Sequence, residues 1–272
     1  MAPQPPRSTD RDFPYWLVAG AAIAAAVAIS IASSDLYAQI FTAVSRGIWI
    51  TIWVTLIGFA LASALGLGIA LMALSKSLVL RQIARFYVEI IRGVPVLVLL
   101  FWIAFAGVPA FVAAWNWAAA PLREAGIVDE MLVRDISLLW RAVIALTIGY
   151  SAFIAEVFRA GILSVEAGQI EAAKALGLSG FQRFRLIIFP QAISTILPPL
   201  GNDFVAMVKD SSLVSVLGVA DITQLGKIYA SGSFRFFETY SVVAYIYLLL
   251  TVSLSLMLRA LERRMRRSRT GS

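Results

Sequence analysis

The sequence contains 272 residues, of which 60% are hydrophobic and 14% are charged, and its formal net charge is +7. Soluble domains carry roughly 25% charged residues, and the apolar residues here come in long blocks, so the sequence predicts an all-α polytopic membrane protein. The basic residues cluster at the ends of these blocks, which argues against nucleic acid as a partner. Because the chain contains no Cys and no His, disulfides and Cys/His metal sites are excluded.

The first 34 residues predict a polar tail followed by one additional helix. Residues 1–13 are polar and rich in Pro, and we expect a cytoplasmic tail there. Residues 14–34 are apolar and rich in Ala, and we predict an extra N-terminal transmembrane helix. A cleaved signal peptide is the alternative, because Arg7 and Arg11 precede this block. Its apolar core, however, exceeds the roughly 7 to 15 residues that are typical of signals.

Five further apolar blocks predict membrane-spanning helices, at about 48–74, 86–107, 138–158, 186–208 and 240–258. Gly58, Gly66 and Gly68, in the first of these helices, predict close packing against another helix. Glu89 and Arg92 lie three residues apart at the start of the next helix and predict a local ion pair. We expect residues 108–137 to form a loop.

Prolines interrupt the helix predicted at 186–208. Pro198, Pro199 and Gly201 predict a break at membrane depth, which is tolerated where the freed backbone groups line a cavity or find protein partners. Polar and ionisable side chains are costly at this depth and usually face a cavity. The substrate path that we predict on this basis consists of Asn202, Asp203, Lys209, Asp210, Ser211 and Ser212. For Lys209 and Asp210, an ordinary helix end outside the membrane is an equally good interpretation.

The distribution of basic residues predicts the orientation in the membrane. If the predicted helices cross the membrane alternately, 16 of the 23 Lys and Arg residues lie on the side of both termini, and 7 lie on the other side. Positive charge is enriched in cytoplasmic segments. We therefore expect both termini and the polar segment 159–185 to be cytoplasmic.

The polar stretch 164–190 separates two apolar blocks and predicts a helix, a tight turn and a second helix. Residues 165–176 are rich in good helix formers, and Gly177 stands where a C-cap glycine would end the helix. Ser179 and Gln182 have the spacing of a capping box at the start of the next helix. Pro190 then restarts or kinks that helix. The small side chains of Ala172 and Ala173 would let another protein approach closely.

The spacing EAA-x3-G-x9-I-x-[L/F]-P, which begins at Glu171 and ends at Pro190, resembles the signature loop of permease subunits of ATP-binding-cassette (ABC) importers. The runs YSAFIAEVFRAG at 150–161, PLGNDF at 199–204 and YVEIIRGVP at 87–95 are similar to the polar amino-acid uptake subfamily, the histidine, glutamine and glutamate permeases. The resemblance covers roughly residues 45–264. Phe189, where the family usually has Leu, and Asp203, where Glu is common, are departures from the pattern.

This resemblance implies the type I ABC importer transmembrane fold, a five-helix core to which the chain adds its N-terminal helix. The transmembrane domain would cover 45–260, with a coupling loop at 159–185, and 261–272 would form a basic cytoplasmic tail. The chain would not be an enzyme, and indeed it contains no GxxxxGK[ST] phosphate loop. ATP and Mg²⁺ would bind a partner, and no cofactor or metal would bind this chain.

The resemblance also implies partners and further site residues. The partners would be ABC ATPase subunits, a periplasmic or lipid-anchored substrate-binding protein, a second permease subunit that is identical or related, and an amino acid as substrate. The location would be the bacterial inner membrane. The implied ATPase-coupling residues are Gly168, Glu171, Ala172, Ala173, Lys174 and Gly177. The implied supporting residues are Glu89, Arg92, Glu156 and Arg159. Residues 215–218 would contribute to an external gate.

The main alternative is a secondary transporter of small polar solutes that is driven by an ion gradient. Such proteins often contain inverted repeats and ionisable groups near the bilayer centre. No convincing repeat occurs in this sequence, and its charges cluster near the ends of the predicted helices. A membrane-bound enzyme is disfavoured by the lack of Cys, His and a carboxylate pair deep within a predicted helix. A scaffold subunit without substrate flux is a further alternative.

Overall fold

The computed structural model describes residues 15–270, apart from the side chains of residues 16, 17, 262 and 264–270. The predicted tail at 1–13 lies outside the described residues. The described helices are α1 (Tyr15–Ser33), α2 (Asp35–Ser45), α3 (Ile48–Ala73), α4 (Leu78–Gly93), α5 (Val96–Trp102), α6 (Val108–Ala118), α7 (Ala120–Glu124), α8 (Leu138–Leu163), α9 (Ala167–Ala175), α10 (Gly180–Arg183), α11 (Phe189–Asp210), α12 (Ile222–Ser233) and α13 (Phe236–Thr270). Between residues 15 and 270 there is no strand, so the predicted all-α class is confirmed.

Five stretches of the described residues are long and apolar enough to cross a membrane. They are Asp35–Ala73, Val96–Ala118, Leu138–Leu163, Gly180–Leu217 and Phe236–Leu261. A further apolar helical stretch, Val18–Ser33, is shorter, and its crossing of the membrane stays a prediction. The chain is therefore a multi-pass membrane protein.

The span predicted at 86–107 is wrong in its bounds. The apolar stretch runs from Val96 to Ala118, and α4, which precedes it, is a separate helix with charged residues along one side. The physical reason is Pro95, which biases the preceding residue away from helical geometry. Val94 is extended, with φ −102° and ψ 130°, so α4 ends there and α5 begins after Pro95. The loop predicted at 108–137 accordingly begins with helix α6.

The packing of α3 against α8 forms the centre of the molecule. Gly66 of α3 lies so close to α8 that a Cβ atom at this position would come within 2.9 Å of the Ser151 carbonyl oxygen. Gly58 lies against Leu146 in the same interface. The predicted packing role of these two glycines is confirmed, since small residues let helix backbones approach in lipid. The same prediction is wrong for Gly68, where a Cβ atom would meet nothing within 4 Å in the described chain, because this residue lies on the opposite side of α3.

Arg141 is a buried cation near the start of α8, with 8% of its surface exposed. Its guanidinium group donates to the carbonyl oxygens of Ile136, Val133 and Ala104. Ala104 lies in the π-helical segment Ile103–Gly107 between α5 and α6. The Arg141 side chain therefore joins the loop that precedes α8 to this irregular segment, and it satisfies carbonyl groups that would otherwise be buried without a donor.

Asp221 holds α12 against the start of α3 and against α13. Its carboxylate accepts from the Gln224 backbone N–H at 2.8 Å, as an N-cap, and from the Tyr247 hydroxyl at 3.0 Å. Burial raises the pKa of Asp221, and these hydrogen bonds offset part of that rise. A Cβ atom at Gly47 would lie 2.4 Å from the backbone of Asp221, so only glycine fits this crossing.

Helix α11 is continuous, and the break predicted at Pro198 and Pro199 is absent. Each proline lacks a backbone N–H, so the pair removes two hydrogen-bond donors from a helix of 22 residues. The packing of α11 on α8 and α13 stabilises the rest of the helix. Gly201 packs against Leu258 of α13, where a Cβ atom would come within 3.0 Å of that side chain. The irregular backbone flanks α11 instead, as the π-helical segment Phe184–Ile188 and the 3₁₀ segment Ser211–Leu217.

Candidate functional site

The connection between α8 and α11 is the helix–turn–helix that the sequence predicts. Gly177 has φ +75° and follows the end of α9, where its N–H donates to the Lys174 carbonyl at 2.9 Å. The N–H of the next residue donates to the Ala173 carbonyl at 3.1 Å, which completes a Schellman motif. Ser179 and Gln182 form the predicted capping box, with hydrogen bonds of 2.8 and 3.3 Å. Both caps are confirmed.

This loop is attached to the beginning of α11. Val165, just before α9, packs in one buried cluster with Ala192 and Ile196 of α11. Gly161, at the end of α8, lies so near Ile196 that a Cβ atom would come within 2.2 Å of its Cγ1 atom. The Gln191 side chain of α11 also donates to that of Gln169 in α9. The loop that contains α9 is therefore in direct contact with α11.

Most of the predicted coupling residues face outward. Glu171, Ala172 and Lys174 are exposed, and Glu171 forms no hydrogen bond or ion pair with the rest of the described chain. A Cβ atom at Gly168 would meet nothing within 4 Å, so the backbone there is open to approach. Ala173 points the other way and is 3% exposed, which makes it part of the contact with the body of the protein.

Two exposed apolar side chains flank the turn and were not singled out from the sequence. Leu176 is 80% exposed and Phe181 is 71% exposed. Large apolar groups at such positions usually indicate an interaction surface when they lie together on a polar loop. The sequence could have indicated these two residues by their positions. Leu176 precedes the C-cap Gly177, and Phe181 follows the N-cap Ser179, where no apolar face is required.

The predicted substrate-path residues divide between two faces of α11. Asp203 and Asp210 are seven residues apart and face α8, where the Tyr150 hydroxyl donates to Asp210 at 2.8 Å. Asp203 lies close enough to act electrostatically on the same hydroxyl. Its Oδ2 atom is buried and has no hydrogen-bond partner. Tyr150 is therefore a further candidate residue of the substrate path. The sequence could have indicated it as a polar aromatic residue within an apolar helix.

Asn202 and Lys209 are also seven residues apart, and both are exposed on the neighbouring face of α11. Ser211 is buried, and its hydroxyl donates to the Val208 carbonyl at 2.7 Å, which is a bond within the helix end. Ser212 is half-buried, and its carbonyl accepts from Ser215. The structure therefore places Asp203 and Asp210 on the side of α11 that faces Tyr150, and it gives the Ser211 hydroxyl a local partner.

The four supporting residues line one polar cavity between α4 and α8. Glu156 and Arg159 form an ion pair at 2.6 Å. The local ion pair predicted between Glu89 and Arg92 is wrong, because no contact joins their charged groups and Arg92 lies over the Phe153 ring at 5.5 Å. The reason is that α4 packs on α8, which supplies an aromatic face as an alternative partner for the guanidinium group.

Metal ligands do not converge anywhere in the described part of the chain. Among residues 15–270, no group of three or more acidic side chains is placed to hold an ion. The described residues instead form an exposed helical loop, which contacts the membrane helix α11. The carboxylates of Asp203 and Asp210 on α11 face α8.

Comparison with known proteins identifies the family. Residues 62–267 match the family described as "Binding-protein-dependent transport system inner membrane component", and the chain belongs to this family. It is similar to the probable amino-acid permease protein YxeN of Bacillus subtilis (strain 168), with 38% identity over 200 residues, 74% of this chain and 81% of that protein. It is 37% identical over 185 residues to the glutamine transport system permease protein GlnP of Escherichia coli (strain K12), covering 68% and 75% of the two chains.

Solved structures agree with this assignment. The crystal structure of an amino acid ABC transporter with histidines superposes with a TM-score of 0.69 and 36% identity, over 86% of this chain and 98% of the other. The inward-facing MetNI methionine ABC transporter has a TM-score of 0.65 at 20% identity, which supports the fold alone. The type I ABC importer fold and the family resemblance predicted from the motifs are confirmed. The alternative of an ion-gradient-driven transporter is not favoured.

Proposed function

We propose that this chain is the transmembrane permease subunit of an ABC importer that carries polar amino acids across the bacterial inner membrane. ATP hydrolysis takes place on separate ATPase subunits, which bind ATP and Mg²⁺, and no cofactor binds this chain. A periplasmic or lipid-anchored binding protein delivers the substrate, and a second permease subunit, identical or related, completes the path. The excess of basic residues on one side supports cytoplasmic termini and a cytoplasmic coupling loop.

The observation that carries this proposal is the outward face of α9 and the turn after it. Glu171 and Lys174 are exposed on α9, and the side chains of Leu176 and Phe181 are exposed on either side of the turn. Such a mixed apolar and charged surface, held by two caps, fits a groove on a folded partner. We infer that the partner is the ATPase, and that Gly168, Ala172 and Gly177 permit its close approach.

The mechanism follows the contacts from this loop to α11. When two ATPase subunits close on ATP, they move the two coupling loops towards each other. The cluster of Val165, Ala192 and Ile196 transmits this displacement to α11, which carries Asp203 and Asp210. Only contacts that differ between the inward-facing and outward-facing states can drive such a switch. Beyond the other end of α11, we infer that residues 215–218, at the end of the 3₁₀ segment Ser211–Leu217, contribute to the external gate.

The two aspartates support a substrate with a cationic group. The buried Oδ2 atom of Asp203 lacks a donor, and the ammonium group of an amino acid supplies one. Asn202 and Lys209, on the adjoining exposed face, offer an amide and a cation for a carboxylate group. These groups recognise the backbone of an amino acid and leave the identity of its side chain open.

Reconstitution tests this function directly. Proteoliposomes that contain the permease, its ATPase and its binding protein should accumulate a polar amino acid only when ATP and the binding protein are both present. The permease alone should give no uptake under a proton or sodium gradient. Gradient-driven uptake by the permease alone would contradict the proposal and favour a secondary transporter.

Asp203→Asn should reduce ATP-driven uptake about tenfold, because the loss of one charged hydrogen-bond partner costs roughly 1.5–3 kcal/mol. The variant preserves the side-chain shape, so ATPase co-purification should not change. Asp35→Asn, which neutralises an exposed aspartate at the start of α2, serves as the control and should transport normally. Wild-type uptake by the Asp203 variant would remove this residue from the substrate path.

A further inference from the structure

A second site lies apart from α11, in the polar cavity between α3, α4 and α8. We call it the arginine cavity, and its volume is about 310 Å³. Its charged lining residues are Arg81, Arg85, Glu89, Arg92, Glu156 and Arg159. Leu74 and Leu163 also line it, and these residues mark the ends of α3 and α8. The cavity therefore lies at the level where two membrane-spanning stretches end.

The arginine cavity has an excess of positive charge that the chain does not neutralise. Arg159 is paired with Glu156, which leaves three arginines against one glutamate. Arg81 is held in place because its guanidinium group donates to the carbonyl oxygens of Ser75 and Lys76. Arg85 forms no hydrogen bond or ion pair with any other described residue. The cavity thus presents the Arg85 guanidinium group without an acceptor and the Arg92 guanidinium group against only an aromatic ring, and unpaired guanidinium groups of this kind bind a phosphate group.

Helix α4 presents this charge at a membrane surface. The arginine side follows a helical spacing, with Arg81, Arg85, Glu89 and Arg92 in one row. The opposite side exposes Val79, Ile83, Phe86 and Ile90. Between these two sides, Ala84 and Val88 are buried against Ile69 of α3 and Ala155 of α8. A helix with an exposed apolar row and a basic row, fixed beside the ends of two spans, lies in the interface between lipid and water.

We propose that the arginine cavity binds the phosphate group of a phosphate ester, either an anionic phospholipid of the adjoining leaflet or a soluble phosphate compound. The depth of the cavity and the apolar row of α4 favour the phospholipid, because basic groups at this level attract anionic headgroups. The last wall residue, Leu163, precedes α9 by only a few residues. An occupied cavity therefore joins α4 to the end of the helix from which the coupling loop emerges, and it restrains that loop.

Native mass spectrometry of the purified full-length chain tests this proposal. Delipidated protein is titrated with phosphatidylglycerol, with phosphatidylcholine and, in a separate arm, with glycerol 3-phosphate. We expect phosphatidylglycerol to bind at least about tenfold more tightly than phosphatidylcholine. Arg85→Gln should weaken that binding about tenfold, as expected for a lost charge-assisted hydrogen bond. Arg85→Lys should have a smaller effect, because it keeps the charge but loses the planar fork.

Lys76→Gln is the matched control, since this exposed cation lies in the same segment but does not line the cavity. Binding of glycerol 3-phosphate with the same dependence on Arg85 would support the phosphate site and identify a soluble source. Equal binding of the two lipids, or equal losses in the Arg85 and Lys76 variants, would overturn the proposal. Loss of ATPase association by Arg85→Gln in lipid-free detergent would also overturn it, because the cavity would then be a protein contact.

Discussion

Glu171→Lys should lower ATP-driven uptake more than tenfold while the permease remains inserted in the membrane. Glu171 is exposed on α9 and has no partner within the described chain, so the reversed charge does not disturb the fold. At the proposed interface, however, a like-charge contact costs several kcal/mol, and the ATPase therefore binds the loop more weakly. The measurement is uptake into proteoliposomes, together with co-purification of the ATPase.

The control for this variant is Glu124→Lys, which reverses an exposed charge at the end of α7, outside the coupling loop. It should leave both uptake and ATPase association unchanged. Wild-type uptake by the Glu171 variant would disprove the coupling role of α9. Loss of the variant from the membrane fraction would instead indicate a structural role for Glu171.

Gly161→Ala should destabilise the crossing of α8 and α11 and, with it, the base of the coupling loop. The new Cβ atom would lie 2.2 Å from the Cγ1 atom of Ile196, so the Ile196 side chain or one of the two helices must shift. Overpacking of this kind costs about 1–3 kcal/mol in the free energy of unfolding. We expect a lower melting temperature in detergent and a parallel loss of uptake, because α9 is no longer held against α11.

A second change in the partner residue makes this prediction sharper. Ile196→Ala removes the clashing atom, so the double variant should be less destabilised than the sum of the two single variants. Gly68→Ala is the control, since a Cβ atom there meets nothing within 4 Å and should change stability by no more than about 0.5 kcal/mol. Strict additivity of the Gly161 and Ile196 variants would show that the contact is not the cause.

The coupling loop could be predicted in detail because its structure is local. The αL conformation of Gly177 and the reciprocal hydrogen bonds of Ser179 and Gln182 depend on residues within a few positions of each other. No distant contact has to be known to place these caps. The exposure of Leu176 and Phe181 was missed because they lie at the adjoining ends of two short helices, where too few turns exist for periodicity to define an apolar face.

The membrane helices were predicted less well where contacts between distant residues determine the continuity or the rotation of a helix. Apolar composition located the spans, but the end of α4 at Val94 depended on the conformation that Pro95 imposes. The prolines of α11 suggested a break that packing on α8 and α13 prevents. The inward direction of Asp203 and Asp210, towards Tyr150, required the relative rotation of two helices. Sequence spacing alone does not give that rotation.

The Schellman motif at Gly177 and the capping box at Ser179 have a thermodynamic consequence for partner binding. Two caps on either side of a turn of a few residues leave its backbone little freedom to lose. A recognition surface that must first order itself spends part of its binding free energy on conformational entropy. Because this turn is already preorganised, the partner proposed to bind Leu176 and Phe181 would lose little binding free energy to the ordering of the backbone.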